Sequence, residues 1–187
     1  MPADTTGRTF WSVASLHTES VRSWRTVTLL LLGLLAGGCR APQAQPLLDG
    51  PAGVTTESVT IERVVDGDTV VLVDGRTVRV SGIDTPETKH PRTGVECYGP
   101  EASRYAEETL TGAAVRLEPD GGSDRYGRTL GHLWYRSAGG WVNYGLAALA
   151  GGHADLYRDA DHRHRAEFED AQRDARDAGR GLWGTCG

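Results

Sequence analysis

Residues 84–91, Asp84-Thr85-Pro86-Glu87-Thr88-Lys89-His90-Pro91, set two carboxylates, two hydroxyls, two prolines and a cation in one short loop behind a valine-rich run. Near it in the chain stand Asp66-Gly67-Asp68-Thr69, Arg79 and Asp124-Arg125-Tyr126-Gly127-Arg128. Carboxylate oxygens suit hard cations, and a planar guanidinium matches an oxyanion through two parallel hydrogen bonds. The set therefore points to an anionic substrate and a hard metal ion. Each piece alone is weaker. Asp-Gly is ordinary turn chemistry, a strand arginine is usually a surface pair, and an isolated glutamate is usually solvated or capping.

The elements that must carry these residues are legible in the spacing. Ser58 to Val65, Thr69 to Val73 and Thr77 to Val80 are rich in β-branched residues, with Asp74-Gly75 as a hairpin signal, and predict three antiparallel strands. Pro100 to Thr111 predicts a helix with Ala102, Tyr105, Ala106 and Leu110 on one face, stopped at Gly112. Ala113 to Leu117 and Thr129 to Tyr135 predict two more strands, joined through Gly121-Gly122-Ser123-Asp124. Trp141 to Ala150 reads as a second helix. A third, from about Asp161 to Ala178, places Phe168, Ala171, Ala175 and Ala178 on one face with Gly179 as its stop. On that helix His162 and His164 read as solvated, because residues two apart do not share a face. The expected fold is α+β and β-rich: a five-stranded Greek-key barrel of the OB type with three helices.

The chain has 187 residues, room for one domain and a leader. Arg22 and Arg25 precede the short apolar run from Val27 to Ala36, which ends in Gly37-Gly38-Cys39, the pattern of a signal peptide. That run is too short for a permanent membrane span. Ala36-Gly37-Gly38-Cys39 also resembles a bacterial lipobox in which Cys39 is lipidated, although leucine is usual where Ala36 stands. Plain secretion is the first alternative and a misassigned start codon ahead of a cytosolic protein the second; separately, Val21 is a candidate for the true start. We divide the chain into residues 1–38 (extension and signal peptide), 39–57 (linker after Cys39) and 58–187 (folded domain). The expected location is exported, at the cell surface or secreted, with the lipid anchor as the sole membrane contact. From Arg40 onward there are 17 Lys and Arg against 23 Asp and Glu, which argues against bulk electrostatic binding of nucleic acid but not against a local cationic site. In an exported protein the pair Cys97 and Cys186 suggests a disulfide; a reactive thiol is the weaker reading, since neither has a neighbour that would lower its pKa.

The same residues resemble the staphylococcal nuclease family. The pieces that carry the likeness are Val65 to Thr69, Arg79 to Glu87 (Arg-Val-Ser-Gly-Ile-Asp-Thr-Pro-Glu), Thr88 to Ser103, Asp124 to Arg128, Val142-Asn143 and Leu182-Trp183, in order across residues 58–187. The resemblance implies a calcium-dependent monomeric nuclease that cleaves DNA and RNA to 3′-phosphate products. It implies Asp68, Asp84 and the carbonyl of Thr85 as Ca²⁺ ligands, Arg79 and Arg128 as a phosphate clamp, and Glu87 as the group that orients or deprotonates the attacking water. Tyr126, Arg125, Tyr157 and Arg92 are implied as substrate contacts, Tyr157 in a loosely matching segment. Thr93 stands where the best-known member has lysine, which implies weaker and more salt-sensitive binding. The rival reading is an OB-fold module that binds nucleic acid without cleaving it; a structural lipoprotein with no metal dependence is a third. Asp68, Arg79, Asp84, Glu87 and Arg128 together favour the enzyme.

Overall fold

A computed structural model describes residues 51–89, 94–158 and 161–186. Strands β1 (Glu57–Asp66), β2 (Thr69–Leu72) and β3 (Thr77–Val80) form the antiparallel meander. The β2–β3 turn works because Gly75 takes φ 89° and the Asp74 carboxylate accepts the Arg76 N–H at 3.0 Å. A two-residue strand β4 (Ile83–Asp84) then leads toward helix α1 (Gly99–Leu110). Next come β5 (Ala114–Ser123), β6 (Thr129–Ser137), β7 (Gly140–Asn143) and α2 (Tyr144–Gly151). The end of the domain holds β8 (Asp155–Leu156), α3 (Arg165–Asp177) and the single turn α4 (Leu182–Thr185).

The main sheet runs β3-β2-β1-β5-β6-β7, and a parallel pairing of β3 with β6 closes five of its strands into a barrel. This is the OB-type, α+β architecture expected. Strand β1 serves both halves, pairing with β2 and β5, and register shifts after Ile61 and Val64 bend it around the corner. Ile61, Leu72, Val78, Val80, Leu117 and Leu133 are fully buried inside the barrel, and α1 covers one side with Ala102, Ala106 and Leu110. Helix α3 adds Phe168 and Ala175. Cys97 and Cys186 are joined with Cα atoms 5.9 Å apart across 89 residues of chain. Closing a loop of that length contributes roughly 4 kcal/mol on a chain-entropy account.

Four expectations need correction. Strand β5 continues through Gly121-Gly122 to Ser123, and the turn is Asp124 to Arg128, where the Asp124 N–H donates to the Arg128 carbonyl at 2.9 Å. Trp141 to Asn143 is strand, not helix: Trp141 and Val142 pair with Arg136 and Tyr135. Helix α2 starts only after Asn143, whose side chain caps it by accepting the Leu146 N–H at 3.2 Å. Ala178 is exposed, whereas Gln172 is buried and accepts the Leu156 N–H. Finally, His162 and His164 are buried, because α3 begins after them and the helical-face argument does not reach them.

These two histidines pack with buried His132, at ring-centroid distances of 5.1 and 4.7 Å, and His164 Nε2 lies 2.9 Å from Glu118 Oε2. Gly82 is what admits His162, since a Cβ there would fall 2.2 Å from His162 Nε2. Burial holds His132 down to a pKa of about 3, and it lowers His162 as well. Unfolded imidazoles take up protons near pH 6.5, so the unfolded chain binds more protons than the folded one below that value. Stability from this cluster is complete above about pH 6.5 and is lost as pH falls toward 3. We expect urea midpoints measured across that window to decline with acid, and His132→Leu to flatten the decline; an unchanged slope in the variant would show that the cluster does not set it.

Candidate active site

The β1–β2 turn, the end of β3 and the β4 segment meet at one rim of the barrel. Arg79 sits on β3 opposite Leu130 of β6, so barrel closure places it one residue pair from the start of β6 and hence beside Arg128. Its side chain is largely buried, and both terminal nitrogens have partners. Nη1 donates to the carbonyls of Val80 (2.8 Å) and Ile83 (2.7 Å), and Nη2 lies 2.9 Å from Asp84 Oδ1 and 3.0 Å from Asp68 Oδ2.

Asp68 is buried at the start of β2 and works in three directions. Oδ1 accepts the Thr69 hydroxyl at 2.9 Å, while Oδ2 accepts the Thr85 N–H at 3.1 Å and pairs with Arg79. Thr85 and Asp68 can come together because Gly67 lacks a side chain: a Cβ there would lie 2.7 Å from the Thr85 methyl. Burial, then the charge of Asp68, raise the Asp66 carboxyl to a pKa of about 6. Glu87 turns its Oε1 onto the following N–H groups of Thr88 (2.9 Å) and Lys89 (2.7 Å). Its backbone is paired in both directions with Glu96.

Arg128 is fixed from its own turn. Its Nε donates to Asp124 Oδ2 at 2.7 Å and its N–H to Asp124 Oδ1 at 2.9 Å. Burial pushes the Asp124 carboxyl up, yet the bonds from Arg128 and the Tyr126 N–H hold it below the usual carboxylate range. The free end of Arg128 reaches Thr69 Oγ1 at 3.4 Å.

Asp66, Asp68, Arg79, Asp84, Thr85, Glu87 and Arg128 thus share one small cavity of about 200 Å³. A second cleft of about 660 Å³ adjoins it, sharing the two arginines and lined further by Arg125, Tyr126 and Tyr157. Tyr126 and Tyr157 are exposed, and the guanidinium of Arg125 lies 4.8 Å from the Tyr126 ring centre. Among the described residues, no group of three or more His, Cys, Asp and Glu side chains converges closely enough to hold a metal ion unaided. Asp68 and Asp84 are both aimed at the same cationic nitrogen, Arg79 Nη2. Arg92, Thr93 and Cys39 lie outside the described residues, as does the leader.

A family profile described as "Staphylococcal nuclease homologue" matches residues 77–185. The chain belongs to the staphylococcal nuclease family. It is 38% identical over 144 residues to the thermonuclease of Staphylococcus intermedius, covering 72% of this chain and 84% of that protein. Against the thermonuclease of Staphylococcus hyicus it is 36% identical over 138 residues, covering 72% and 80%. Endonuclease YncB of Bacillus subtilis (strain 168) is 42% identical over 82 residues, 41% of this chain and 39% of that protein.

Two residues of this site escaped sequence reasoning: Asp66, which reads as a turn residue but lines the cavity, and Tyr144. Tyr144, fully buried at the start of α2, donates its hydroxyl to the Gly67 carbonyl at 2.6 Å and so fixes the turn that presents Asp66 and Asp68. Its one signal was a tyrosine directly after the capping Asn143. Tyr144→Phe leaves that buried carbonyl unpaired, so we expect a loss of about 1–3 kcal/mol in urea unfolding. Unchanged stability would mean that the carbonyl finds another donor.

Proposed function

We propose that this chain is a calcium-dependent nuclease that hydrolyses phosphodiester bonds of single-stranded or frayed DNA and of RNA, leaving 3′-phosphates. The observation that carries the proposal is the convergence of Asp68, Asp84 and Glu87 with Arg79 and Arg128 on one cavity beside a tyrosine-lined cleft. Family membership supplies the reaction class, hydrolysis of nucleic acid, which the names of the thermonuclease relatives also carry. A module that binds without cleaving would have no need of five such groups around one cavity.

The donors suit a hard cation. Asp68 and Asp84 already share Arg79 Nη2, a stand-in for positive charge at that point. With the Thr85 carbonyl they would offer oxygen ligands only, the chemistry Ca²⁺ prefers, and would leave places for water and a phosphate oxygen. When bound, the ion supplies counter-charge to the phosphate and a fixed place for water.

The side chains do the rest. Arg128, anchored by Nε to Asp124, keeps its terminal nitrogens for phosphate oxygens, where negative charge grows as water attacks. Arg79 offers the same charge beside it. Glu87 exchanges the two amide bonds it now accepts for a bond to water, which it orients or deprotonates. Tyr126 and Tyr157 flank the larger cleft as surfaces for a sugar-phosphate and a base.

Export of a monomeric protein, with Cys39 as its lipid anchor, belongs to the same proposal. It rests on the leader pattern and on the Cys97–Cys186 disulfide, since such bonds persist in oxidising compartments. Incorporation of labelled palmitate that disappears in Cys39→Ser supports the anchor; label retained in the variant rejects it.

The deciding assay incubates the full chain with denatured DNA and with RNA, with Ca²⁺ or a chelator, and examines the product ends. Calcium-dependent 3′-phosphate ends are expected, with Mg²⁺ a poor replacement because of its tighter octahedron. Arg128→Ala and Glu87→Ser should each lower kcat by about 10²-fold or more with little change in Tm. Retained DNA binding without cleavage by the native chain would assign it to the binding modules.

A further inference from the structure

Glu87 is held from outside its own loop. Its N–H donates to Glu96 Oε2 at 3.0 Å, and its carbonyl accepts the Glu96 N–H at 2.8 Å. The turn behind Glu96 is built onto the same point. The Glu96 carbonyl accepts the Gly99 N–H at 3.0 Å, and a Cβ on Gly99 would fall 2.9 Å from the Glu87 carbonyl oxygen. Tyr98 takes φ 66°, a conformation that persists in a non-glycine residue only where the surroundings impose it.

Tyr98 itself stacks on His153 with ring centres 5.8 Å apart, but the residues before it, Gly94, Val95, Glu96 and Cys97, are all exposed. For those exposed residues the tie is covalent. Cys97 is joined to Cys186, whose N–H donates to the Leu182 carbonyl, while the Leu182 N–H donates to Gly152, both at 2.9 Å. The carboxyl-terminal turn is thereby tied through one disulfide to the residue next to Glu96.

We infer that the Cys97–Cys186 disulfide is a positioning device for Glu87: acting through the Glu96 clasp, it holds the catalytic loop in register, and its reduction lowers turnover. The inference rests on the nuclease reading and on the role given there to Glu87. Cys97, Cys186 and Glu96 are positioning residues in this scheme. A dithiol reductant supplies the two electrons. One of its thiolates attacks a sulfur of the bond, the S–S bond breaks, and the released cysteine thiolate takes a proton. The reductant's second thiol then displaces the other cysteine, closing a cyclic disulfide.

A simple staple would lower Tm on reduction and leave kcat of the still-folded enzyme alone. The test compares the full native chain, oxidised and reduced by dithiothreitol without denaturant, below both melting midpoints. Reduction is expected to lower kcat about tenfold with KM within about twofold. Amide exchange at Glu87 and Glu96 is expected to accelerate. Oxidised Glu96→Ala should lose kcat at nearly unchanged Tm, Glu96→Gln should restore most of it, and reduction of Glu96→Ala should change kcat by less than about twofold, since the two act in series. Unchanged kcat on reduction overturns the inference, as does unchanged kcat in oxidised Glu96→Ala, which keeps the disulfide even if the reduced chain unfolds. Equal losses on reduction with and without Glu96 also overturn it. Should the native oxidised chain cleave nothing, the nuclease reading fails by itself, and amide exchange at Glu87 still decides whether the disulfide sets the clasp.

Discussion

The guanidinium of Arg79 is the interaction on which the rim of this barrel depends. It satisfies the carbonyls of Val80 and Ile83 as the chain leaves β3, and it holds Asp68 and Asp84 together from two different segments. Without it, Asp68 and Asp84 would lose the guanidinium they share, and the corner carrying Ile83 and Asp84 would lose two of its backbone partners. The same group thus folds the corner and charges the site. Lysine could not replace it, because a single ammonium lacks the planar spread of donors that reaches two carbonyls and two carboxylates at once.

Barrel closure turns this local arrangement into a pair of arginines. Val78 and Arg79 register against Thr129 and Leu130, so the parallel β3–β6 contact fixes where the Asp124–Arg128 turn ends. Arg128 arrives at the cavity already oriented by Asp124. The clamp is therefore a product of strand register, and a slip of one residue would turn Arg79 toward the barrel interior. Tyr144 secures the third side by reaching from α2 to the Gly67 carbonyl.

Much of this was legible because it is local. Valine-rich runs, the Asp74-Gly75 turn and the Pro100 helix start each carry their signal within a few residues, and strands β1, β2 and β3 fall where those signals put them. Six of the site residues were likewise named by motif and line one cavity, joined there by Asp66, which the sequence offered only as a turn residue. What failed was decided at a distance. Trp141 and Val142 become strand because Arg136 and Tyr135 are there to pair with them. His162 and His164 are buried because His132 and Phe168 receive them, a match no spacing rule reports. The hydroxyl of Tyr144 finds its partner 77 residues away.

The cavity also carries more carboxylates than cations. Asp66, Asp68, Asp84 and Glu87 surround the cavity against two arginines, and one of those, Arg128, is already committed to Asp124. Four carboxylates so placed repel one another, and the fold keeps them only because barrel register, Arg79, Tyr144 and the Cys97–Cys186 tie over-determine their positions. An unbalanced negative cavity is poorly suited to receive a phosphate by itself. Under the proposed function, a divalent cation held by Asp68 and Asp84 would supply the missing counter-charge and leave the arginines to the phosphate. The acidic balance of the whole chain is then no obstacle to an anionic substrate, because attraction is generated inside the cavity, over a few ångströms, where solvent and salt screen it least.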